Sequence, residues 1–265
     1  VVILHGLAGS GDSPYARSMA AAARAGGLAS LRLDLRGAGG EGADFYHAGL
    51  TADLRTALAA PALARFASLA VVGFSLGGHL ALRWAGEEGE GADPRVAAIA
   101  AVCAPLDLEL GARALDAGRN RIYRKYILDG LKAMAERIER RHPGTIPAPR
   151  ARRAAAGSIR EWDGLVVAPR FGFASAEDYY ARASAAPLLD RVRVPTWLVA
   201  GRHDPMVPRA TLAAALERIS PAIEATWCER GGHVGMPPTL DLGRPGGRGL
   251  ANQLAGWIGE RLAAR

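Results

Sequence analysis

The stretch that most constrains this chain is Leu69 to Gly78. An apolar run, Leu69-Ala70-Val71-Val72, leads into Gly73-Phe74-Ser75-Leu76-Gly77, and a helix-like segment, His79 to Ala85, follows. In a strand–turn–helix setting, Gly-x-Ser-x-Gly has a mechanical meaning. The turn is so tight that the serine takes a strained backbone conformation and lifts its hydroxyl clear of the sheet. Gly73 and Gly77 are expected where a Cβ would clash with the neighbouring strand or helix. The N-terminus of the following helix aims free N–H groups at the same spot, which suits a developing oxyanion.

The rest of the chain fits an alternating α/β order. Val1 to Leu4 reads as a buried parallel strand ending at His5-Gly6, and Pro14 opens a helix to about Ala25. Leu28 to Asp34 is the next strand. A helix from about Leu50 to Ala60 follows, with Thr51 or a neighbour as its cap. Val96 to Val102 is another strand. From Pro105 to about Leu189 the rhythm breaks into helical patterning, Asn120 to Arg141 above all, punctuated by Pro143, Pro147 and Pro149. Strand Pro195 to Ala200, helix Arg209 to Ile219, strand Ile223 to Cys228 and helix Leu250 to Leu262 complete the order. The expected architecture is a mostly parallel central sheet with helices on both faces. Its core spans residues 1–104 and 190–265, with a helical cap inserted over 105–189.

A serine hydroxyl is a poor nucleophile unless a base lies within hydrogen-bond reach and a carboxylate orients that base. In this strand order the acid comes first and the histidine last, each on a loop after a later strand. Asp204 in Gly201-Arg202-His203-Asp204-Pro205 and His233 in Gly231-Gly232-His233-Val234-Gly235 meet that description. Both are expected at the carboxyl edge of the sheet, beside Ser75. The Leu7 N–H, after His5-Gly6, and the Leu76 N–H are the candidate oxyanion donors. His5 is read as a structural hydrogen bonder holding that loop. His79, in the first turn after Ser75, is a candidate pocket residue. His203 reads as a surface group, and His47 and His142 as structural or exposed.

Composition narrows the partners. The net charge is +7, but only Lys125 and Lys132 are lysines and the arginines are spread over the chain. No aromatic residues interleave the densest cluster, Arg137, Arg140, Arg141, Arg150, Arg152 and Arg153, which argues against nucleic acid. A solvated face, or weak peripheral contact with an anionic membrane surface, is the reading of that cluster. The two cysteines, Cys103 and Cys228, read as buried small hydrophobes. No zinc-type His-x-x-x-His pair or cysteine cluster is present, and Leu7-Ala8-Gly9-Ser10-Gly11 lacks the Lys-Ser/Thr of a phosphate loop. No metal, nucleotide or other cofactor is therefore expected. With no apolar run long enough to span a bilayer and no visible signal peptide, the location expected is cytoplasmic. Residue 1 is Val, so the sequence reads as part of a longer chain.

The chain resembles the α/β-hydrolase superfamily, and within it the YheT-like branch of predicted esterases, which also holds eukaryotic lipases and yeast medium-chain ester synthases. The resemblance rests on His5-Gly6-Leu7-Ala8-Gly9-Ser10, Arg36-Gly37-Ala38-Gly39-Gly40, Tyr46-His47-Ala48-Gly49, and Gly73-Phe74-Ser75-Leu76-Gly77-Gly78. In the cap it rests on Ile159-Arg160-Glu161-Trp162-Asp163, Gly172-Phe173 and Ala176-Glu177-Asp178-Tyr179-Tyr180, and it closes with Gly231-Gly232-His233-Val234-Gly235. It implies Ser75 as nucleophile, His233 as base, Asp204 as acid, and cofactor-free hydrolysis of carboxylic esters. Phe173 and Tyr179 then become candidate pocket residues. The branch usually has Asn where His79 stands and a second acid where His203 stands. Its members also begin upstream with two more strands, without which Leu28 to Asp34 is an open edge. Two other readings stand beside hydrolysis: acyl transfer to an alcohol on the same triad, and a non-catalytic binding protein on a hydrolase fold.

Overall fold

Period-two alternation of apolar residues organises the sheet. In the computed structural model, which describes residues 1–40 and 42–264, Ile3, Val72, Ala100 and Val199 face one side. Their chain neighbours Leu4, Val71, Ile99 and Leu198 face the other. Among the described residues the strands are β1 (Val2–Leu4), β2 (Leu31–Leu33), β3 (Leu69–Phe74), β4 (Val96–Val102), β5 (Thr196–Gly201) and β6 (Ile223–Cys228). They form one sheet in the order β2-β1-β3-β4-β5-β6, every pair parallel. The central strands β3 and β4 are apolar throughout because both faces are covered. Leu69↔Val96 gives way to Ala70↔Ala98, so β3 and β4 shift register once near their start.

The helices are α1 (Pro14–Ala25), α2 (Ala52–Leu58), α3 (Leu76–Glu88), α4 (Leu108–Asp116), α5 (Arg121–Arg141), α6 (Arg150–Ala155), α7 (Ile159–Trp162), α8 (Ala168–Phe171), α9 (Ala176–Ala183), α10 (Ala213–Leu216) and α11 (Leu250–Ala263). Met19 of α1 and Leu254 and Trp257 of α11 cover one face of the sheet. Leu80 and Trp84 of α3 and Leu54 and Leu58 of α2 pack on the other.

Residues 105–189, between β4 and β5, contain helices α4 to α9, a 3-10 turn between α4 and α5, the start of another after α9, and a π-helical turn at Asp163–Val167. Side-chain caps start three of these helices. Asp107 accepts from Leu110 N, Ser158 from Glu161 N and Ser175 from Asp178 N. The two ends of the segment are stitched together where they meet the core. Leu106 O accepts from the N–H groups of Ala185 and Ala186, and the Ser184 hydroxyl accepts from Leu108 N.

Several expectations differ locally. Thr51 precedes α2 but makes no side-chain cap; its hydroxyl donates to Glu87 on α3 instead. The segment Arg209 to Ile219 is a 3-10 turn, Arg209–Thr211, followed by the single turn α10, with Leu212 driven into the core between them. The arginine cluster is not one solvated face. Arg153 is buried, donates to the carbonyls of Ile146 and Ala148, and pairs with Glu136 and Glu139. Arg150 pairs with Glu136. No helix among the described residues is long and apolar enough to cross a membrane.

Candidate active site

Four loops leave the carboxyl edge of the sheet and converge. The first follows β3. Ser75 has φ 53° and ψ −118°, a backbone conformation that costs energy in a non-glycine residue and holds the side chain at the turn apex. A Cβ on Gly73 would lie 2.2 Å from Gly77 O, and one on Gly77 would lie 2.5 Å from Leu4 O. Only glycine lets helix and strands approach this closely.

Asp204 follows β5 and His233 follows β6. The His233 Nδ1 lies 2.8 Å from Asp204 Oδ2, and His233 Nε2 lies 2.8 Å from Ser75 Oγ. A carboxylate can only accept, so Nδ1 carries the proton and Nε2 is left to accept from the serine hydroxyl. Asp204 is buried, and its other oxygen is fixed by the N–H groups of Met206 and Val207 at 2.8 and 3.0 Å. The relay can take a proton from Ser75 and stabilise the imidazolium that results.

The loop after β1 supplies the facing wall. The Gly6 N–H donates to the Tyr15 hydroxyl at 2.9 Å and the Ala8 N–H donates to the Tyr46 hydroxyl at 2.7 Å. Leu7 lies between them, and its own N–H has no partner among the described residues. Leu76 is the first residue of α3, so its N–H also lacks an intrahelical acceptor. His5 is buried and holds this loop to the next strand. Leu35 N donates to its Nε2 at 3.0 Å, which leaves the Nδ1 proton for Gly6 O at 2.8 Å. No pattern in the sequence marks Tyr15 and Tyr46 for this role. Tyr46 lies inside a block that carries the resemblance, but no local spacing links it to the loop at residue 8.

Cys103 is a second unforeseen neighbour. It is buried as expected, with φ 50°, and its sulfur groups with the Asp204 carboxylate and the His233 ring. Burial and the adjacent Asp204 charge push its thiol far up, so it stays protonated behind the relay.

Ser75 and His233 open on a cavity of about 650 Å³, which Leu7 and Leu76 also line. That size is usual for a small-molecule site, about 300–1,000 Å³. Tyr179 and Tyr180 line it from the cap. Two candidate pocket residues do not. His79 is fully buried, with Nδ1 2.7 Å from Pro105 O and Nε2 2.9 Å from Ala183 O, so it bridges the two ends of the cap beneath the site. Burial lowers its pKa despite those two carbonyls. Phe173 packs its ring on His47 and Tyr179 and braces the wall from behind. His47 is neither merely structural nor exposed; it lines the cavity itself. His203 and His142 are exposed.

Comparison with known proteins agrees with this architecture. Residues 1–233 match the family model described as alpha/beta hydrolase fold. The chain is 36% identical over 242 residues to the predicted esterase YheT of Escherichia coli, covering 89% of this chain and 70% of that one. It is 29% identical over 260 residues to the medium-chain fatty acid ethyl ester synthase/esterase 2 of Saccharomyces cerevisiae, covering 88% of this chain and 57% of that one. Against most of the curated relatives it thus spans half to three-fifths of their length. Among solved structures, an esterase of Pyrococcus furiosus superposes with a TM-score of 0.58 at 17% identity, over 99% of this chain and 81% of that one. A 2,6-dihydroxy-pseudo-oxynicotine hydrolase gives 0.61 at 18% identity, over 99% and 60%. Those two likenesses concern the fold. The chain belongs to the α/β-hydrolase fold family, in its YheT-like branch.

Proposed function

We propose that this chain is a serine hydrolase that cleaves carboxylic esters of short to medium acyl chains through an acyl-enzyme on Ser75. The observation that carries the reading is the unbroken relay from Ser75 Oγ through His233 to buried Asp204, at the wall of an apolar cavity. Relatives whose names record esterase activity support the coarser reading of ester hydrolysis. In this mechanism Ser75 Oγ attacks the ester carbonyl carbon as His233 Nε2 takes its proton. The Leu7 and Leu76 N–H groups hold the oxyanion. Collapse breaks the bond to the alcohol, which leaves with the proton from Nε2. A water, deprotonated by the same nitrogen, then attacks the acyl carbonyl, and the acid departs as Ser75 is reprotonated. No step calls on a cofactor.

A second acceptor is the main alternative. The yeast relative is named for ester synthesis as well as cleavage, and an acyl-enzyme yields to whichever hydroxyl His233 can deprotonate within reach. Both readings are tested together with p-nitrophenyl esters of increasing chain length, supplied with rising ethanol and with Ser75→Ala as control. The expected result is free acid as the main product. Rates should rise with each methylene, by up to ~0.8 kcal/mol, until the cavity is full. Ethyl ester exceeding free acid at low millimolar ethanol would make the chain a transferase. Turnover by Ser75→Ala equal to wild type would remove the reading.

A further inference from the structure

The block Ile159–Asp163 shapes the cavity in a way that ester chemistry does not use. Asp163 opens the π-helical turn, lines the cavity and is only 8% exposed. Its Oδ2 accepts from the Tyr180 hydroxyl at 2.7 Å. Its Oδ1 has no hydrogen-bond partner among the described residues, yet it is not one of the polar atoms sealed from all accessible space. That oxygen therefore opens on the cavity. The nearby cation does not claim it: Arg160 is turned to Glu109 and Glu177, with its guanidinium over the Tyr180 ring.

A donor also lines the cavity. His47 is also 8% exposed and lines the cavity. Its Nδ1 accepts from Gly49 N at 3.1 Å, so the ring proton sits on Nε2, which has no partner among the described residues and is likewise not sealed off. Burial first, and then the charges of Arg83 and Arg36, hold its pKa down at about 4, so the ring stays neutral. Asp163 Oδ1 and His47 Nε2 thus remain unspent in a cavity that also carries Leu108, Leu115, Ile127, Leu131 and Val167. A plain alkyl chain filling this space would cover both without pairing either, a costly outcome for buried polar groups.

We propose that Asp163 is a substrate-recognition residue whose Oδ1 accepts a hydrogen bond from a hydroxyl carried on the substrate's chain inside the cavity. On this account the preferred substrates are hydroxylated acyl esters rather than plain alkyl ones. The proposal rests on the Ser75 reading, since it assumes that the chain in the cavity belongs to the ester being cleaved. Burial pushes the Asp163 carboxyl up to about 7, against the Tyr180 hydrogen bond, with Asp116 reinforcing the rise and Arg160 opposing it. In mildly alkaline solution it is an acceptor only. Its neighbours Tyr179 and Tyr180 stay protonated there, their hydroxyls pushed well up by burial and by Asp163.

The test compares p-nitrophenyl esters of one acyl length in which a single chain carbon bears hydrogen, a hydroxyl or a keto oxygen, with that carbon moved along the chain. Rates are measured at about pH 9, where Asp163 is ionised. At one carbon position the hydroxyl ester should exceed the plain ester in kcat/KM by about tenfold, and the ketone, which cannot donate, should not. Asp163→Asn still accepts from Tyr180 but presents N–H to the cavity, so the advantage should pass from hydroxyl to ketone. The wild-type series decides alone if that variant does not fold. An advantage below about twofold at every position overturns the proposal. So does an equal loss on all three esters in Asp163→Asn. A protein that cleaves none of the esters contradicts the Ser75 reading instead. The three free acids, ranked by thermal shift on the wild type, then decide the hydroxyl preference: a hydroxy acid that stabilises no more than the plain one overturns it.

Discussion

The two halves of the cavity are built on opposite principles. On the core side the polar atoms that frame Ser75 are committed, which leaves the Leu7 and Leu76 N–H groups as the free donors. Asp204 is held by three donors, the N–H groups flanking Leu7 by two tyrosines, and both His5 nitrogens by backbone groups. On the cap side Asp163 Oδ1 is open, as is Nε2 of His47, a core residue whose ring packs on Phe171, Phe173 and Tyr179 of the cap. At the start of α5, Ile122 and Tyr126 line the cavity yet stand 83% and 68% exposed. Bond-making needs donors fixed before the charge appears, because reorganising them would cost what they stabilise. Selection needs only a wall of suitable shape with a few polar groups on it. A change on the core side should therefore act on kcat for every ester, and a change on the cap side on the choice among esters.

The largest expected break is His233→Ala. It should lower kcat by about four orders of magnitude while the chain still folds, since Asp204 keeps its Met206 and Val207 donors. Steady-state kinetics beside a melting curve check this. Next is Gly77→Ala, where the new Cβ meets Leu4 O at 2.5 Å and His5 O at 2.7 Å, both rigid backbone. Destabilisation above ~4 kcal/mol is expected by chemical unfolding, placing this glycine among the rare severe sites.

A subtler break is Tyr46→Phe, which strips the Ala8 N–H of its acceptor at a cost of about 1–3 kcal/mol. If that tyrosine positions the oxyanion loop, kcat should fall ~10- to 100-fold with KM little changed. The affinity of a boronic acid that mimics the tetrahedral intermediate should weaken in parallel. A role in stability alone would lower the melting temperature without that parallel.

The smallest effect sharpens the cap side. The Asp163 carboxyl is raised from 3.8 to about 7 in the folded chain. Between those values the folded state holds a proton that the unfolded state has released. The stability this confers is fully present below 3.8 and is lost as pH rises through about 7. Asp163→Asn should abolish that slope, so thermal melts of variant and wild type should diverge progressively from pH 4 to pH 8 in the variant's favour. His47 acts in the opposite sense. Held down at about 4, it withdraws stability as pH falls from 6.5 toward that value, so the melts are compared as differences between the two proteins.

The same division explains what could be read from the chain. The core side is written locally. An apolar run ending in Gly-x-Ser-x-Gly fixes strand, turn and helix within ten residues, and Val96–Val102 and Ile223–Cys228 have the strand bounds that their pattern implies. Glycine spacing also states where a Cβ cannot go. The cap side depends on which distant residues meet. The spacing of His79 from Ser75 points to the pocket, yet two carbonyls 26 and 104 residues away decide its direction. Thr51 had a capping position and a free choice of partners, and Glu87 on α3 won it. Asp163 and Tyr180 are joined across 17 residues and a π-helical turn, a geometry with no periodic signature. The arginine cluster is dense in the sequence, but Glu136 and Glu139, one helical turn apart, face Arg153 and divide it.

The central claim is that Ser75 is the activated group at the carboxyl edge of the sheet. Its most direct test is reaction of the folded protein with a fluorophosphonate probe, followed by intact mass and peptide mapping. The account predicts one adduct, on Ser75, formed rapidly in wild type and in Asp163→Asn, slowly in His233→Ala, and not in Ser75→Ala. No adduct on the folded wild type, or an adduct on another residue at an equal rate in Ser75→Ala, would contradict it.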